Sequence, residues 1–183
     1  MGVDSLQGKL LVASPAIFDP NFRRTVVLVT AHGEEGAVGL VLNRRSEATV
    51  DDAVSQLADV AGGDAPIFVG GPVNPSGVAV LAEFEDPTEA AIPVVADVGF
   101  VGLEDALEAG FPQLRRTRVF AGCAGWSAGQ LEGELEQDDW RIEPAEVEDV
   151  FTPSPEGLWS AVLRRMGGRY RLLATMPPDP SLN

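Results

Sequence analysis

This chain of 183 residues has one cysteine, one histidine, one tyrosine and one lysine (Cys123, His32, Tyr170 and Lys9). Each scarcity excludes something. A lone cysteine closes no internal disulfide, which points to a reducing cytoplasm. A lone histidine with no cysteine cluster supplies no zinc ligand set, so neither a metal nor another cofactor is expected. Apolar runs such as Thr25 to Val29 and Ala37 to Leu42 are short, whereas a membrane helix needs about 20 apolar residues. No basic-then-apolar leader opens the chain, so export is not expected. Cations are few as well: 13 Lys and Arg against 28 Asp and Glu give a net charge of −15. That balance opposes a general grip on nucleic acid, which needs excess cations to displace counterions. Most of the positive charge is arginine, often paired: Arg23-Arg24, Arg44-Arg45, Arg115-Arg116 and Arg164-Arg165. Scattered surface pairs are the ordinary outcome, and a basic patch survives only if some pairs converge.

What the chain does have suits one domain over residues 1–183 with a full core, at a hydrophobic fraction of 45%. Lys9 to Ala13 reads as a short strand, and Ser14 to Phe22, with two prolines, as a loop. Thr25 to Thr30 is β-branched and continuously apolar, the mark of a strand covered on both faces. After a loop of about four or five residues at His32 to Gly36, Ala37 to Leu42 returns as its hairpin partner. Thr49 caps a helix with Val50, Ala53, Val54, Leu57 and Val60 on one side. Ile67 to Val69 and Val78 to Phe84 read as strands, linked through Gly70-Gly71 and a turn at Asn74 to Gly77. Val94 to Phe100 is extended, and Leu103 to Ala109 is a short helix stopped by Gly110. Arg141 to Glu143 reads as a return strand. Leu158, Trp159, Val162, Leu163 and Met166 make one helical stripe after Ser154-Pro155. Tyr170 to Thr175 reads as a last strand. Hairpins mixed with helices, without regular βαβ alternation, predict an α+β fold with a mixed, mainly antiparallel sheet. A doubly wound sheet is the alternative.

The stretch Arg118 to Trp140 holds two of the three tryptophans and the cysteine. It reads as a strand over Thr117 to Ala121, a glycine-rich turn over Gly122 to Trp126, and a helix from Ser127. Ser127 as N-cap and Gln130 three residues on have capping-box spacing, and Trp126 with Leu131 has the spacing of a hydrophobic staple.

Four blocks in order, LLVASPAIFDPNFRRTVVLVTAHGEEGAVGLVLNR (10–44), FVGGPV (68–73), VFAGCAGWSAGQLEGELEQDDW (119–140) and DPSLN (179–183), resemble the YqgE/AlgH family of bacterial proteins over nearly the whole chain. The resemblance implies coiled, bifurcated β-sheets with helices outside and a cytoplasmic protein of no established biochemical activity. The family's frequent label of transcriptional regulator comes from one member described as a regulator of alginate production. Two departures stand out. The family usually has tyrosine where this chain has Cys123, and often an acid where it has Ala31. A site that used that phenol or carboxylate would be lost here.

GWSAG (125–129) fits the G-x-S-x-G nucleophile pattern between a strand and a helix, but the only base available is His32, upstream of the serine. Ser127 has a capping role to fill, and no catalytic residue is assigned; a weak hydrolase using Ser127 stays an alternative. Cys123 is a candidate reactive thiol if the positive end of the following helix lowers its pKa. Gly70-Gly71-Pro72 offers backbone N–H groups to an anion but lacks the lysine and serine of a P-loop. Gln130 and Glu134 share a helix face. With Asn43, Arg44, Gly70, Gly71 and Trp126 they form the candidate ligand-binding set, expected to gather around Trp126 because glycine permits close backbone approach. The expectation is a non-enzymatic regulatory or binding protein with a protein or small-molecule partner. A transcriptional regulator acting on nucleic acid directly or through a partner is the alternative.

Overall fold

The computed structural model describes residues 4–178, so the closing DPSLN block lies outside the described residues. Strands β1 (Lys9–Ala13), β2 (Val26–Gly33) and β3 (Gly36–Val41) are antiparallel neighbours. Successive side chains leave to opposite sides, and both sides are covered. Leu10, Val12, Val26, Leu28 and Leu40 join one core, while Leu11, Ala13, Val27, Val29 and Val41 join another. That double burial is why these strands are unbroken apolar runs. β2 and β3 also run past the expected loop until Gly33 pairs with Gly36, leaving Glu34 and Glu35 at the tip.

β4 (Arg45–Thr49) leads into α1 (Val50–Val54), where Thr49 and Asp52 form a capping box. The single helix expected here is interrupted at Val54 (φ −146°, ψ 67°), a β-branched residue poorly suited to helical packing. A 3-10 turn covers Ser55–Leu57, and α2 (Ala58–Ala61) follows. β5 (Pro66–Val69) precedes β6 (Val73–Phe84), which absorbs the Asn74–Gly77 turn as an irregularity: its partners jump from Cys123 to Ala121. The extended segment near residue 95 is a hairpin of β7 (Ile92–Val95) and β8 (Val98–Phe100). α3 (Leu103–Ala109) ends at Gly110 as its sequence predicts.

β9 (Leu114–Ser127) joins the two halves of the sheet. Its first part is antiparallel to β6, Phe120 and Ala121 pair parallel with β5, and Ala124 to Ser127 pair antiparallel with β3. The glycine-rich segment is therefore strand, not turn. Gly122 (φ +73°) lets the chain bend from one half to the other, and pairing with β3 outweighs the local preference for a loop. The helix start moves with it. α4 (Gln130–Glu136) is entered from Gly129, whose left-handed backbone makes no side-chain cap. Only one half of the capping box forms, with Ser127 N–H donating to Gln130 Oε1 at 3.1 Å.

β10 (Trp140–Pro144), α5 (Val147–Val150), α6 (Leu158–Met166) and α7 (Tyr170–Leu173) complete the described chain. α7 replaces the expected last strand, because Tyr170-Arg171-Leu172-Leu173 has no β-branched residue and leucine and arginine favour helix. The sheet runs β10-β1-β2-β3-β9-β6-β8-β7, with β5 branching from β9 and β4 beyond it. This is the mixed, mainly antiparallel α+β architecture with a bifurcated sheet. α6 packs against the β1–β3 core through Trp159, α4 covers the opposite face, and a third core around Phe84 holds Val50 and Ala106.

Candidate functional site

The expected set divides among three places. Trp126 is buried and packs with Trp140 and Phe22, the two indoles meeting edge to face at 6.0 Å between centroids. Glu134 closes this cluster from α4. Its Oε2 accepts both indole N–H groups, each at 2.8 Å, and its Oε1 accepts from Gln130 Nε2 at 3.0 Å. Gln130 Oε1 in turn holds the Ser127 backbone N–H and hydroxyl. Both carboxylate oxygens and both amide atoms thus have partners inside the protein. A hollow of about 550 Å³ lies against Trp126 along the His32–Gly36 hairpin.

Gly70 and Gly71 lie elsewhere, pressed against Gly122 and Cys123 where β9 bends. Gly70 N–H donates to Ala121 O and its carbonyl accepts from Val41 N–H. The backbone of Gly70 is thus spent on holding β5, β3 and β9 together.

Ser127 and His32 point to different partners. His32 Nδ1 accepts from Leu6 N–H at 3.1 Å, so Nε2 carries the hydrogen that meets Glu132 Oε1 at 2.8 Å. Neither ring nitrogen is left to serve as a base. Cys123 does not precede the helix, which starts only at Gln130, and burial pushes its thiol above the usual range. Glu132 is held below the ordinary glutamate range first by its own backbone N–H and then by His32. Its contribution to stability is present above about pH 4.3, the unperturbed value, and is lost as pH falls through the lowered folded value. Urea unfolding should therefore find Glu132→Gln less stable than the parent chain at pH 7, with the difference shrinking as pH falls below the glutamate range.

Asn43 and Arg44 belong to the third place, a pocket of about 490 Å³ that also takes in Phe18, Arg23, Arg24 and Trp159. Its floor is rigid. Trp159 Nε1 donates to Ala13 O at 2.9 Å, and the Arg24 guanidinium stacks on the indole with Cζ 4.0 Å from the ring centroid. Asn43 clasps the loop, accepting from Val26 N–H at 3.0 Å and donating to Arg24 O at 2.9 Å. That clasp holds Arg24 at φ +54°, a left-handed conformation strained for a residue with a side chain. Arg44 donates to Arg23 O, Arg23 to Pro178 O, and Arg24 to Met176 O at 2.9 Å.

All three guanidinium groups are thus aimed by backbone carbonyls. Among the described residues none of them forms an ion pair; the pairs fall instead on Arg45, Arg115, Arg116, Arg141 and Arg165. Glu156 also lines the pocket, and its carboxylate pairs with Arg45. Burial first, and the charge of Arg23 second, push both Arg24 and Arg44 below the usual arginine range. Two of the arginine pairs read in the sequence therefore send members to one place, and the pair at 115–116 is spent on Glu83, Glu85, Asp97 and Glu148. Phe18 and Trp159 were not part of the expected set. The pairing of an isolated aromatic with Asp19-Pro20 was the only local signal for the first.

The class of protein is thus a small α+β one with a bifurcated sheet whose halves share β9, and with an arginine pocket beside the start of β2 and the end of β3. Residues 10–171 match the AlgH-like family, and the chain belongs to it. A UPF0301 protein of Streptomyces coelicolor is 46% identical over 99% of this chain and 97% of its own length. One from Thermobifida fusca is 42% identical, covering 98% of this chain and 96% of its own. A crystal structure of the Corynebacterium diphtheriae protein DIP2367 is similar with a TM-score of 0.83 at 28% identity, covering 93% of this chain and 92% of that one. The solution structure of AlgH from Pseudomonas aeruginosa is similar with a TM-score of 0.72 at 30% identity, covering 95% of each chain.

Proposed function

We propose that the protein is a non-enzymatic binding protein with a regulatory role, and that its ligand is an anion held by Arg23, Arg24 and Arg44. One observation supports this reading: in a chain of net charge −15, three arginines converge in one pocket and, among the described residues, none of them pairs with a carboxylate, Glu156 of the same lining being taken by Arg45. Partly desolvated guanidinium groups kept together against their own repulsion gain from an anion placed among them. The strained backbone at Arg24 supports the same reading, since strain of this kind gathers where a chain holds ligand-contacting groups. The Trp126 cluster, with its polar atoms partnered internally, is read as a structural staple. The occupied ring of His32 and the raised thiol of Cys123 give no support to hydrolytic or thiol chemistry.

At matched ionic strength, 10 mM inorganic phosphate in place of chloride should raise the melting temperature by about 3–5 °C. That corresponds to a Kd near 1 mM, or about 1.4 kcal/mol of linkage. The Arg23→Ala, Arg44→Ala double variant should melt normally in chloride and show no such rise. An equal phosphate response in the double variant would overturn the assignment.

A further inference from the structure

The geometry points to a more specific ligand for the arginine pocket: a phosphate monoester that carries an aromatic ring, with a nucleoside 5′-monophosphate as its simplest biological form. This rests on the anion reading above and adds the second half of the ligand. Phe18 is the observation that requires it. The ring is 70% exposed yet lines the same pocket as the three arginines. Its loop is not slack. Ile17 N–H donates to Ser14 O, Asn21 N–H to Asp19 Oδ1, and Arg23 N–H to Asp19 O, with Pro15 and Pro20 restricting the backbone on either side. An apolar ring displayed on a braced loop beside a cationic pocket has the arrangement of a stacking platform, because every base offers a π-face. The other aromatic in the pocket, Trp159, already has Arg24 against its face, so Phe18 is the ring open to a ligand.

Size and charge narrow the class. About 490 Å³ falls within the range of small-molecule sites, roughly 300–1,000 Å³, and far exceeds what a bare inorganic anion fills. A phosphate monoester presents three terminal oxygens to three guanidinium groups, where a carboxylate has two. A long polyanion would bring many charges to a surface of net −15 for the sake of three arginines, which favours a mononucleotide over a nucleic-acid strand.

Isothermal titration of the intact protein with adenosine 5′-monophosphate, phenyl phosphate, inorganic phosphate and adenosine, at fixed ionic strength, tests this. Adenosine 5′-monophosphate should bind about tenfold more tightly than inorganic phosphate, phenyl phosphate should also exceed inorganic phosphate, and adenosine should be weakest. Phe18→Ala, an exposed position that leaves the core intact, should bring adenosine 5′-monophosphate down to the affinity of inorganic phosphate and leave the latter unchanged. No gain from the ring, or no effect of Phe18→Ala, would overturn the aromatic half while the anion site stood. Absence of any phosphate binding would remove the anion reading as well. A single-stranded oligonucleotide binding more tightly than the mononucleotide at the same salt would overturn the choice of a small ligand.

Discussion

Gly71→Ala is expected to leave the protein unable to fold to a stable state. A methyl group at this position would sit 2.3 Å from the Cys123 carbonyl carbon and oxygen and 2.4 Å from Ala124 N. All three are backbone atoms of β9 at its bend, so no side chain can rotate away. The native φ of +151° adds strain for any residue with a Cβ. Relief would require β5 and β6 to withdraw from β9, which unpairs the two halves of the sheet. Against a typical total stability of about 5–15 kcal/mol, we expect a loss above about 4 kcal/mol, seen as insoluble expression or a collapsed urea midpoint. Gly133→Ala is the control. That glycine lies inside α4, and a methyl group there would meet nothing within 4 Å, so alanine should stabilise by about 0.5–1 kcal/mol. A Gly71→Ala protein as stable as its parent would show that the close approach of the two backbones is not needed.

Glu134→Ala is expected to lower stability by about 3 kcal/mol. Removing the carboxylate leaves the Trp126 and Trp140 indole N–H groups without their acceptor, and each orphaned buried donor costs about 1–3 kcal/mol. In a chain of this size that corresponds to a melting temperature lower by about 6–12 °C. Glu134→Gln separates hydrogen bonding from packing. Its one carbonyl oxygen can still face both indoles, but its amide N–H₂ then meets the N–H₂ of Gln130, whose own oxygen is tied to Ser127. We expect a loss of about 1 kcal/mol for this variant. Equal losses in the two variants would mean that the indole hydrogen bonds contribute little. A binding role for the cluster would instead appear as a ligand affinity that falls in Glu134→Gln while stability holds.

These two residues also mark how far the sequence could be read. The apolar run Val26 to Val29 declares a doubly covered strand because nearest-neighbour residues on a strand face opposite sides, and the fold buries both sides. α3 and the capping box at Thr49 were equally legible, since caps and stops are local chemistry. The segment around Trp126 was not. Its glycines, read locally, spell a turn, while the pairing of Ala124 to Ser127 with β3, far away in sequence, makes it a strand. The same non-local pairing moved the helix start to Gly129 and removed Cys123 from any helix dipole. Among the candidate site residues, Asn43 and Arg44 could be picked out by their position at the end of a buried strand. Their companions Phe18, Arg23 and Trp159 could not, being brought in by a loop and by α6 from the other end of the chain.

Composition and periodicity alone determined that this would be an acidic α+β protein with buried antiparallel strands, because charge and side-chain alternation are properties of the chain itself. Which arginines meet carboxylates and which meet one another was decided only by the tertiary structure. The loop after Phe18, the end of β3 and the face of α6 come together through packing of the β1–β3 core against Trp159, and no residue in any one of them encodes that meeting.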